Sequence, residues 1–398
     1  MAFIKIQNLG PIKDSGMLTL TEVMLIIGRQ SSGKSTFMKV LCFCRWVEKR
    51  IMTGDPVQTF SQSFISKLEQ FYRLDDLYFQ EDTRIEYEGD VVSIRFLGKS
   101  KEAEINVKND DANARYNTKL GYIPSERNLV SAVRNINATY KSNDRDMLFN
   151  FILEWNEYKR DFTRDEQLKL SLTENFTYYD EDDQDYVVLP NRKPITSFFA
   201  SSGVQSIIPI DVISEKATDA VGKIKKYSVD DLNRMLDLLN NGEATVFTDK
   251  VEAMREHMKY KSAQLFIEEP EQNLYPDAQR LLAQNLVRRI KKASEAGDKQ
   301  SLLVITTHSP YLLTSLNVLM AESSAKQLKP ADPRLNDIVD DSTLLPVDSY
   351  SAYFITKEGE FKNIKDTEIP MFSGIELDSV SEWVDEHLSR INDILYSE

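Results

Sequence analysis

The sequence predicts an α/β fold in which a sheet carries a phosphate-binding loop, with an antiparallel meander and a helical insert beside it. Three stretches lead to that expectation. The apolar run Val23-Met24-Leu25-Ile26-Ile27 passes directly into Gly28-Arg29-Gln30-Ser31-Ser32-Gly33-Lys34-Ser35 and then into an apolar helix, the strand-loop-helix order that such a loop needs. Two later runs, Leu265-Phe266-Ile267 and Val304-Ile305-Thr306-Thr307, end in Glu268-Glu269 and in His308. Runs without polar alternation suit strands covered on both faces.

Taken in order, Phe3-Ile4-Lys5-Ile6-Gln7 alternates as a half-buried strand, Gly10-Pro11 marks a turn, and residues 23–27 read as a central strand. After Gly33, Phe37 to Cys44 is apolar nearly all round, so its helix should be buried on more than one face. Cys42 and Cys44 are the only cysteines, and with Leu41, Phe43 and Trp46 around them they read as buried thiols. The three histidines, His257, His308 and His387, are scattered, so no zinc-type spacing exists. From Thr83 to Lys108 the alternation Ile85/Tyr87, Val92/Ile94/Phe96 and Ile105/Val107, with Glu88-Gly89-Asp90 between the first two runs, predicts the meander. Residues 126–175 are helical in pattern and Tyr179 to Asp185 reads as an acidic surface loop. Leu232, Met235, Leu236 and Leu239 stand at helical spacing within 225–260. Beyond Leu328 the chain mixes Pro, Asp and Ser, with a short strand at Tyr353-Phe354-Ile355 and a final amphipathic helix containing Val380, Trp383, Val384, Leu388 and Ile391.

A chain of 398 residues has room for two or three structural units. With 49 basic against 63 acidic residues the net charge is −14, which argues against coating nucleic acid non-specifically, so any DNA contact must be local. The opening MAFIKIQNLG lacks a cationic stretch before a long apolar run, and no run reaches the ~18 apolar residues of a membrane span. The expected location is the cytoplasm, with no membrane contact.

The chemistry follows from residue types at strand ends. Glycines at 28 and 33 let main-chain N–H groups curl around phosphate oxygens, and the helix after Gly33 aims its positive end at them. Lys34 supplies a point charge to the β- and γ-phosphates, and Ser35 a hydroxyl for Mg²⁺, a cation that prefers oxygen. Glu268 is expected to reach Mg²⁺ through water from a strand beside the loop strand, and Glu269 to take a proton from attacking water. Two adjacent carboxylates are costly without a nearby cation. His308 stands at a strand end, where ligands of α/β sheets collect, and could bond the γ-phosphate. Ser201-Ser202-Gly203-Val204-Gln205-Ser206, small and polar ahead of an apolar run, is by itself only a loop.

In this order, the glycine loop, Ser201 to Gln205, Glu268-Glu269 and the His308 strand resemble the ATPase core of the ABC superfamily. The resemblance is closest to its soluble SMC/OLD-like branch of chromosome-maintenance, DNA-repair and OLD-type ATPases, and to AAA-type, abortive-infection-like ATPases of bacterial anti-phage defence. Glu268-Glu269-Pro270-Glu271-Gln272-Asn273-Leu274-Tyr275-Pro276 and Tyr122-Ile123-Pro124-Ser125-Glu126-Arg127 resemble segments typical of that branch. The resemblance implies a P-loop fold of ABC-ATPase type and an ATP-hydrolysing switch that dimerises head to tail on Mg·ATP. It implies nucleotide binding by Gly28, Arg29, Gln30, Ser31, Ser32, Gly33, Lys34, Ser35 and Thr36, catalysis by Glu269, His308 and Lys34, and Mg²⁺ held by Ser35 and Glu268. Ser201, Ser202, Gly203 and Gln205 would cap the nucleotide of the other subunit, with Asn273 and Leu274 crossing the interface. The partners it implies are a second copy at minimum and a separate effector, a nuclease or toxin, under an anti-phage sensor. Alternatives are an OLD-like or repair ATPase acting directly on DNA, and a scaffold with little turnover.

The sequence departs from transporter ATPases in three places. Ile123 to Arg127 stands where a lid glutamine is usual, Glu268 replaces an Asp, and 66 residues separate Ser202 from Glu268. The tail carboxylates Asp340, Asp341 and Asp348 lack room around them for a nuclease fold, so no metal-dependent DNA cleavage is expected. On this reading 1–125 is the first part of the ATPase core and 126–190 a helical segment with the acidic loop. Residues 191–328 form the second part, with the helical insert at 212–260, and 329–398 a small C-terminal segment.

Overall fold

The computed structural model describes residues 2–100, 102–108, 116–133, 136, 146–190, 192–223, 259–366, 368–375 and 379–396. The chain opens with β1 (Phe3–Leu9), β2 (Ile12–Asp14) and β3 (Leu18–Thr19), then β4 (Val23–Gly28), all six of whose residues are buried. Helix α1 (Lys34–Met52) follows at once, then α2 (Phe64–Tyr72) and the meander β5 (Phe79–Glu88), β6 (Val92–Leu97) and β7 (Ala103–Val107). The meander joins β1 to β3 in an antiparallel sheet ordered β2-β1-β5-β6-β7, with β3 on β1.

β8 (Asn117–Ile123) begins a second sheet that is completed much later in the chain. After α3 (Met147–Tyr158) and a small antiparallel sheet, β9 (Leu168–Lys169), β10 (Thr177–Glu181), β11 (Gln184–Val188) and β12 (Ile195–Thr196), come α4 (Ser202–Asp219) and β13 (Tyr260–Glu268). Then follow α5 (Pro276–Ala296), β14 (Leu302–Thr307), α6 (Pro310–Leu328), β15 (Tyr350–Ile355), β16 (Phe361–Asn363) and α7 (Ser379–Tyr396). The order is β16-β15-β4-β14-β13-β8, parallel except for β16. This is the α/β architecture of a P-loop ATPase of ABC type.

The alternation of side chains explains why β4 carries no polar residue. Val23, Leu25 and Ile27 join one core with α3 to α6, while Met24 and Ile26 join another with α1 and the antiparallel sheet. A strand with a core on each face has no solvent side. Cys42 and Cys44 are buried within the second core, and burial pushes the Cys42 thiol up to about 12 and Cys44 higher still. α4 is held to α5 by Arg289, whose guanidinium donates to Asp211 at 2.7 Å and Glu215 at 2.6 Å; Asp211 also accepts from the Ser171 N–H and hydroxyl, each at 2.7 Å.

Three expectations are revised. β13 does not lie beside β4: β14 separates them, which places Glu268 about 10 Å from the loop strand at ordinary strand spacing. Both runs are equally apolar, so their order in the sheet has no trace in composition. The acidic stretch is a hairpin rather than a loop: Tyr179 pairs with Tyr186 and Glu181 with Gln184, and Asp182 and Asp183 turn the chain at φ 55 and 59, a conformation that Asp tolerates better than most residues. Lys159, buried beside it, offsets the charge at 3.0 Å from Asp180 and 3.5 Å from Asp185. Finally, the segment after Leu328 is part of the core, because β15 pairs in parallel with β4 from Val23 to Gly28. Of the residues expected to be helical over 225–260, 225–258 lie outside the described residues, and Tyr260 begins β13. No helix among the described residues is long and apolar enough to cross a membrane.

Glu48 is the buried link between α1 and the antiparallel sheet. It accepts from Tyr87 Oη at 2.5 Å, Val91 N at 2.7 Å and Arg45 Nη1 at 3.0 Å, and a Cβ at Gly89 would collide with its carboxylate. Glu48→Ala leaves Arg45 buried with a weakened counter-charge, and the expected loss is about 3 kcal/mol or more. A urea melt in which the variant lies within 1 kcal/mol of the wild type would show that this network is not what fastens α1.

Candidate nucleotide site

The loop after β4 has little freedom. A Cβ at Gly28 would lie 2.6 Å from Ser32 Oγ and 3.2 Å from Ile355 Cβ, so the loop is folded against the end of β15. Ser31 and Gly33 take φ 59 and 105, and a Cβ at Gly33 would meet Ile12 Cγ1 at 2.8 Å. Gly33 precedes α1, whose first turn has no side-chain cap and no acidic residue. Its leading N–H groups and positive dipole end are therefore open to an anion. Ser32 Oγ is buried without a partner, a second sign that a phosphate fits the loop. Arg29, Gln30 and Ser31 are exposed, Ser35 is half-buried, and Gly28, Lys34 and Thr36 are buried.

Lys34 Nζ donates to the carbonyls of Gly28 at 3.0 Å and Arg29 at 2.9 Å, and lies 3.5 Å from His308 Nδ1. Burial pulls its ammonium below the usual lysine range, opposed by Glu269, Glu271 and Glu268. The other His308 nitrogen, Nε2, is 3.0 Å from Glu269 Oε1. A carboxylate can only accept and an ammonium only donate, so the neutral imidazole that suits both carries its proton on Nε2. His308 thus stands in a row between the loop lysine and the second acid.

At the end of β13, Glu268 is buried, accepting from Tyr122 Oη at 2.5 Å and from the Ser125 N–H at 3.4 Å. Those two bonds leave lone pairs on both oxygens. Glu269 has φ 42 although Pro270 follows, whereas a residue before proline favours extended backbone. Its Oε2 accepts from Gln272 Nε2 at 2.8 Å. Glu271 Oε1 accepts from the His308 N–H at 2.7 Å, while its Oε2 is buried and unpartnered. Tyr122, Ser125, Glu271 and Gln272 were not singled out by the sequence as site residues. The parallel register of Tyr122 with Phe266, which brings Tyr122 beside Glu268, has no local signature.

Ser201 and Ser202 are exposed at the start of α4, where Ser201 makes no side-chain capping bond. A Cβ at Gly203 would lie 2.7 Å from the Asn273 carbonyl oxygen, and Asn273 Nδ2 donates to Ser206 Oγ at 3.0 Å. This loop is therefore packed on the segment that follows the two acids. Gln205 donates its amide to the Ser197 and Phe198 carbonyls at 3.1 and 3.0 Å, holding the turn ahead of α4. Among the described residues no hydrogen bond or ion pair joins Ser201–Gln205 to Gly28–Thr36. Among the tail carboxylates, Asp340 accepts from Arg288 at 2.8 Å and Asp348 lies 3.7 Å from Lys365.

Residues 54–313, more than half of the chain, match the AAA ATPase domain family. The chain belongs to that family. It is an enzyme that binds and hydrolyses ATP. The matched region contains Glu268, Glu269 and His308 and begins after the glycine loop. No curated protein matches this ATPase. Among solved structures, it is similar to the SMC head domain from Thermotoga maritima (11% identity, 79% of this chain and 90% of that one, TM-score 0.34). It is also similar to an SMC head bound to the C-terminal winged-helix domain of ScpA (10%, 91% and 96%, TM-score 0.37). A third is an SMC head with an extended coiled coil, bound to the C-terminal domain of ScpA derived from Pyrococcus furiosus (8%, 97% and 99%, TM-score 0.39).

In this ATPase, donation from His308 is the main reason that the Glu269 carboxyl falls to about 2 from an ordinary 4.5; Gln272 and Lys34 add to it and burial opposes. The folded-state value is depressed, so the stability it contributes is complete above about pH 4.5 and is lost as pH falls towards 2. In His308→Ala the largest donor is gone, and protonation of Glu269 should move up from about 2 towards 4.5. Infrared titration of the carboxylate band, with Glu269→Gln as the blank, measures it. An unmoved midpoint would show that His308 does not control this acid.

Proposed function

We propose that this ATPase is a two-copy switch: ATP bound at Gly28–Thr36 of one copy is covered by Ser201, Ser202 and Gly203 of a second, and hydrolysis releases the pair. One observation carries the reading. The uncapped, exposed start of α4 makes no bond to the chain's own glycine loop yet is fixed through Gly203 and Asn273 to the acids that serve that loop. Two anion-ready helix starts that do not meet within one chain can meet on one nucleotide between two chains.

Within each site, Lys34 exchanges the Gly28 and Arg29 carbonyls for phosphate oxygens, and the α1 N–H groups hold the remaining charge. Glu269, ionised throughout the neutral range, accepts the proton of the attacking water, and His308 keeps it oriented through Nε2. Ser35 and Glu268 would hold Mg²⁺, which when bound supplies charge neutralisation along the phosphates. The setting we assign is cytoplasmic, as the sensor of a bacterial anti-phage system acting on a separate effector, a nuclease or toxin. That assignment is supported by the likeness of residues 123–127 and 268–276 to such ATPases.

Glu269→Gln keeps the shape and removes the base. ATP should still bind, turnover should fall ~10²–10⁴-fold, and a dimer should accumulate in sedimentation with Mg·ATP. Lys34→Ala should weaken ATP binding ten- to a hundredfold, as loss of a charge-assisted contact of ~1.5–3 kcal/mol implies, and should stay monomeric. A Glu269→Gln protein that hydrolyses normally removes the base assignment. One that holds ATP tightly as a monomer removes the two-copy switch. For the setting, phage should plate less efficiently on cells carrying the wild-type gene with its genomic neighbours than on cells carrying Lys34→Ala; equal plating refutes it.

A further inference from the structure

We propose that Arg127 is a positioning residue for Glu269, tying the turn that carries this carboxylate to the first turn of α4. Its guanidinium is wholly buried, and its four hydrogen bonds all go to main-chain carbonyls. Nη1 donates to Glu268 O at 2.8 Å and to Pro124 O at 3.4 Å, Nη2 to Glu269 O at 2.8 Å, and Nε to Ser206 O at 3.2 Å. A buried cation spent on carbonyls rather than on a carboxylate fork is an unusual use of arginine, and the choice of carbonyls is informative. Two of them belong to the peptides on either side of Glu269, the residue with φ 42 ahead of Pro270. Backbone in that region persists only where surrounding bonds over-determine it.

The bond from Nε reaches the other side of the proposed composite site. Ser206 O belongs to the first turns of α4, and the Ser206 hydroxyl is held by Asn273 Nδ2 at 3.0 Å. The segment from Glu268 to Asn273 is therefore fastened to α4 at both ends, by Arg127 at the acids and by Asn273 beyond them. A displacement of Ser201–Gly203 by a docking copy would be carried through Ser206 and the rigid guanidinium to the Glu269 turn. Burial lowers Arg127 to about 10, opposed by Glu271, Glu269 and Glu268, so the group keeps its charge and all its donors at neutral pH. Lysine, a single ammonium on a flexible stem, cannot span the three segments at once.

The inference rests on Glu269 being the base, and the experiment separates the two. Arg127→Lys, Glu269→Gln and the double variant are compared by steady-state hydrolysis and by calorimetry with adenylyl imidodiphosphate. Arg127→Lys should lower kcat tenfold or more, with KM and analogue affinity within threefold of the wild type. The double variant should be no more than twofold slower than Glu269→Gln alone, because a residue that acts through Glu269 has nothing further to position. Unchanged kcat in Arg127→Lys, an affinity loss as large as the kcat loss, or a double variant slower by the full product of the single effects would each overturn the positioning role while leaving the base assignment intact. Wild-type turnover in Glu269→Gln would instead remove the base assignment itself, and the positioning role with it. Should Arg127→Lys not fold, Arg127→Gln, which retains an amide donor without the charge, enters the same comparison.

Discussion

Glu268, Thr306 and Ile26 sit side by side in three parallel strands, and the geometry of the candidate nucleotide site is inherited from that register. A slip of one residue in either ladder would turn every side chain to the other face. The two cores forbid it, since alternate residues of β4, β13 and β14 are committed to opposite sides: Leu25, Ile267 and Ile305 to one, Ile26, Phe266 and Val304 to the other. The loop, the paired acids and the histidine are thus brought to one edge of the sheet by hydrophobic packing well away from them. The polar contacts among them, such as Lys34 Nζ on the Gly28 and Arg29 carbonyls and His308 Nε2 on Glu269, form on a frame that the packing has already set.

The charge arrangement follows from that placement. Three carboxylates, Glu268, Glu269 and Glu271, converge on a region whose cations are Lys34 and Arg127, yet neither cation forms a hydrogen-bonded pair with any of them. The ammonium rests on loop carbonyls and the guanidinium on carbonyls of the acid turn. The acids accept instead from Tyr122, Gln272, His308 and main-chain N–H groups, with Glu271 Oε2 alone left without a partner among their described oxygens. Cation and anion remain close enough to act on each other without collapsing into a salt bridge that a phosphate would have to break at high cost.

What the sequence made legible was local. The loop, the buried helix after it, the meander and the acids at a strand end all announce themselves through periodicity or glycine placement. Strand order did not: β14 between β4 and β13, and β15 on the far side of β4, are long-range pairings between segments that are alike in composition. The hairpin at Tyr179–Asp185 was hidden by its charge, because Lys159, the residue that makes those aspartates tolerable, lies about twenty positions earlier. Arg127 was visible only as part of a recurring string, since main-chain carbonyls leave no mark on the residues that own them. The bonds of the Gln205 amide to the Ser197 and Phe198 carbonyls were hidden for the same reason.

The position of β15 has a consequence for how the molecule is made. β4 is synthesised as an entirely apolar strand well ahead of its two neighbours, residues 302–307 and 350–355. At ~5–20 residues per second, synthesis leaves it without a partner on either side for on the order of tens of seconds. During that interval Val23 to Ile27 is a bare sticky edge tethered to a translating complex, and pairing across so long a stretch of chain is intrinsically slow. The sheet around β4 can therefore close only once residues 350–355 have been made.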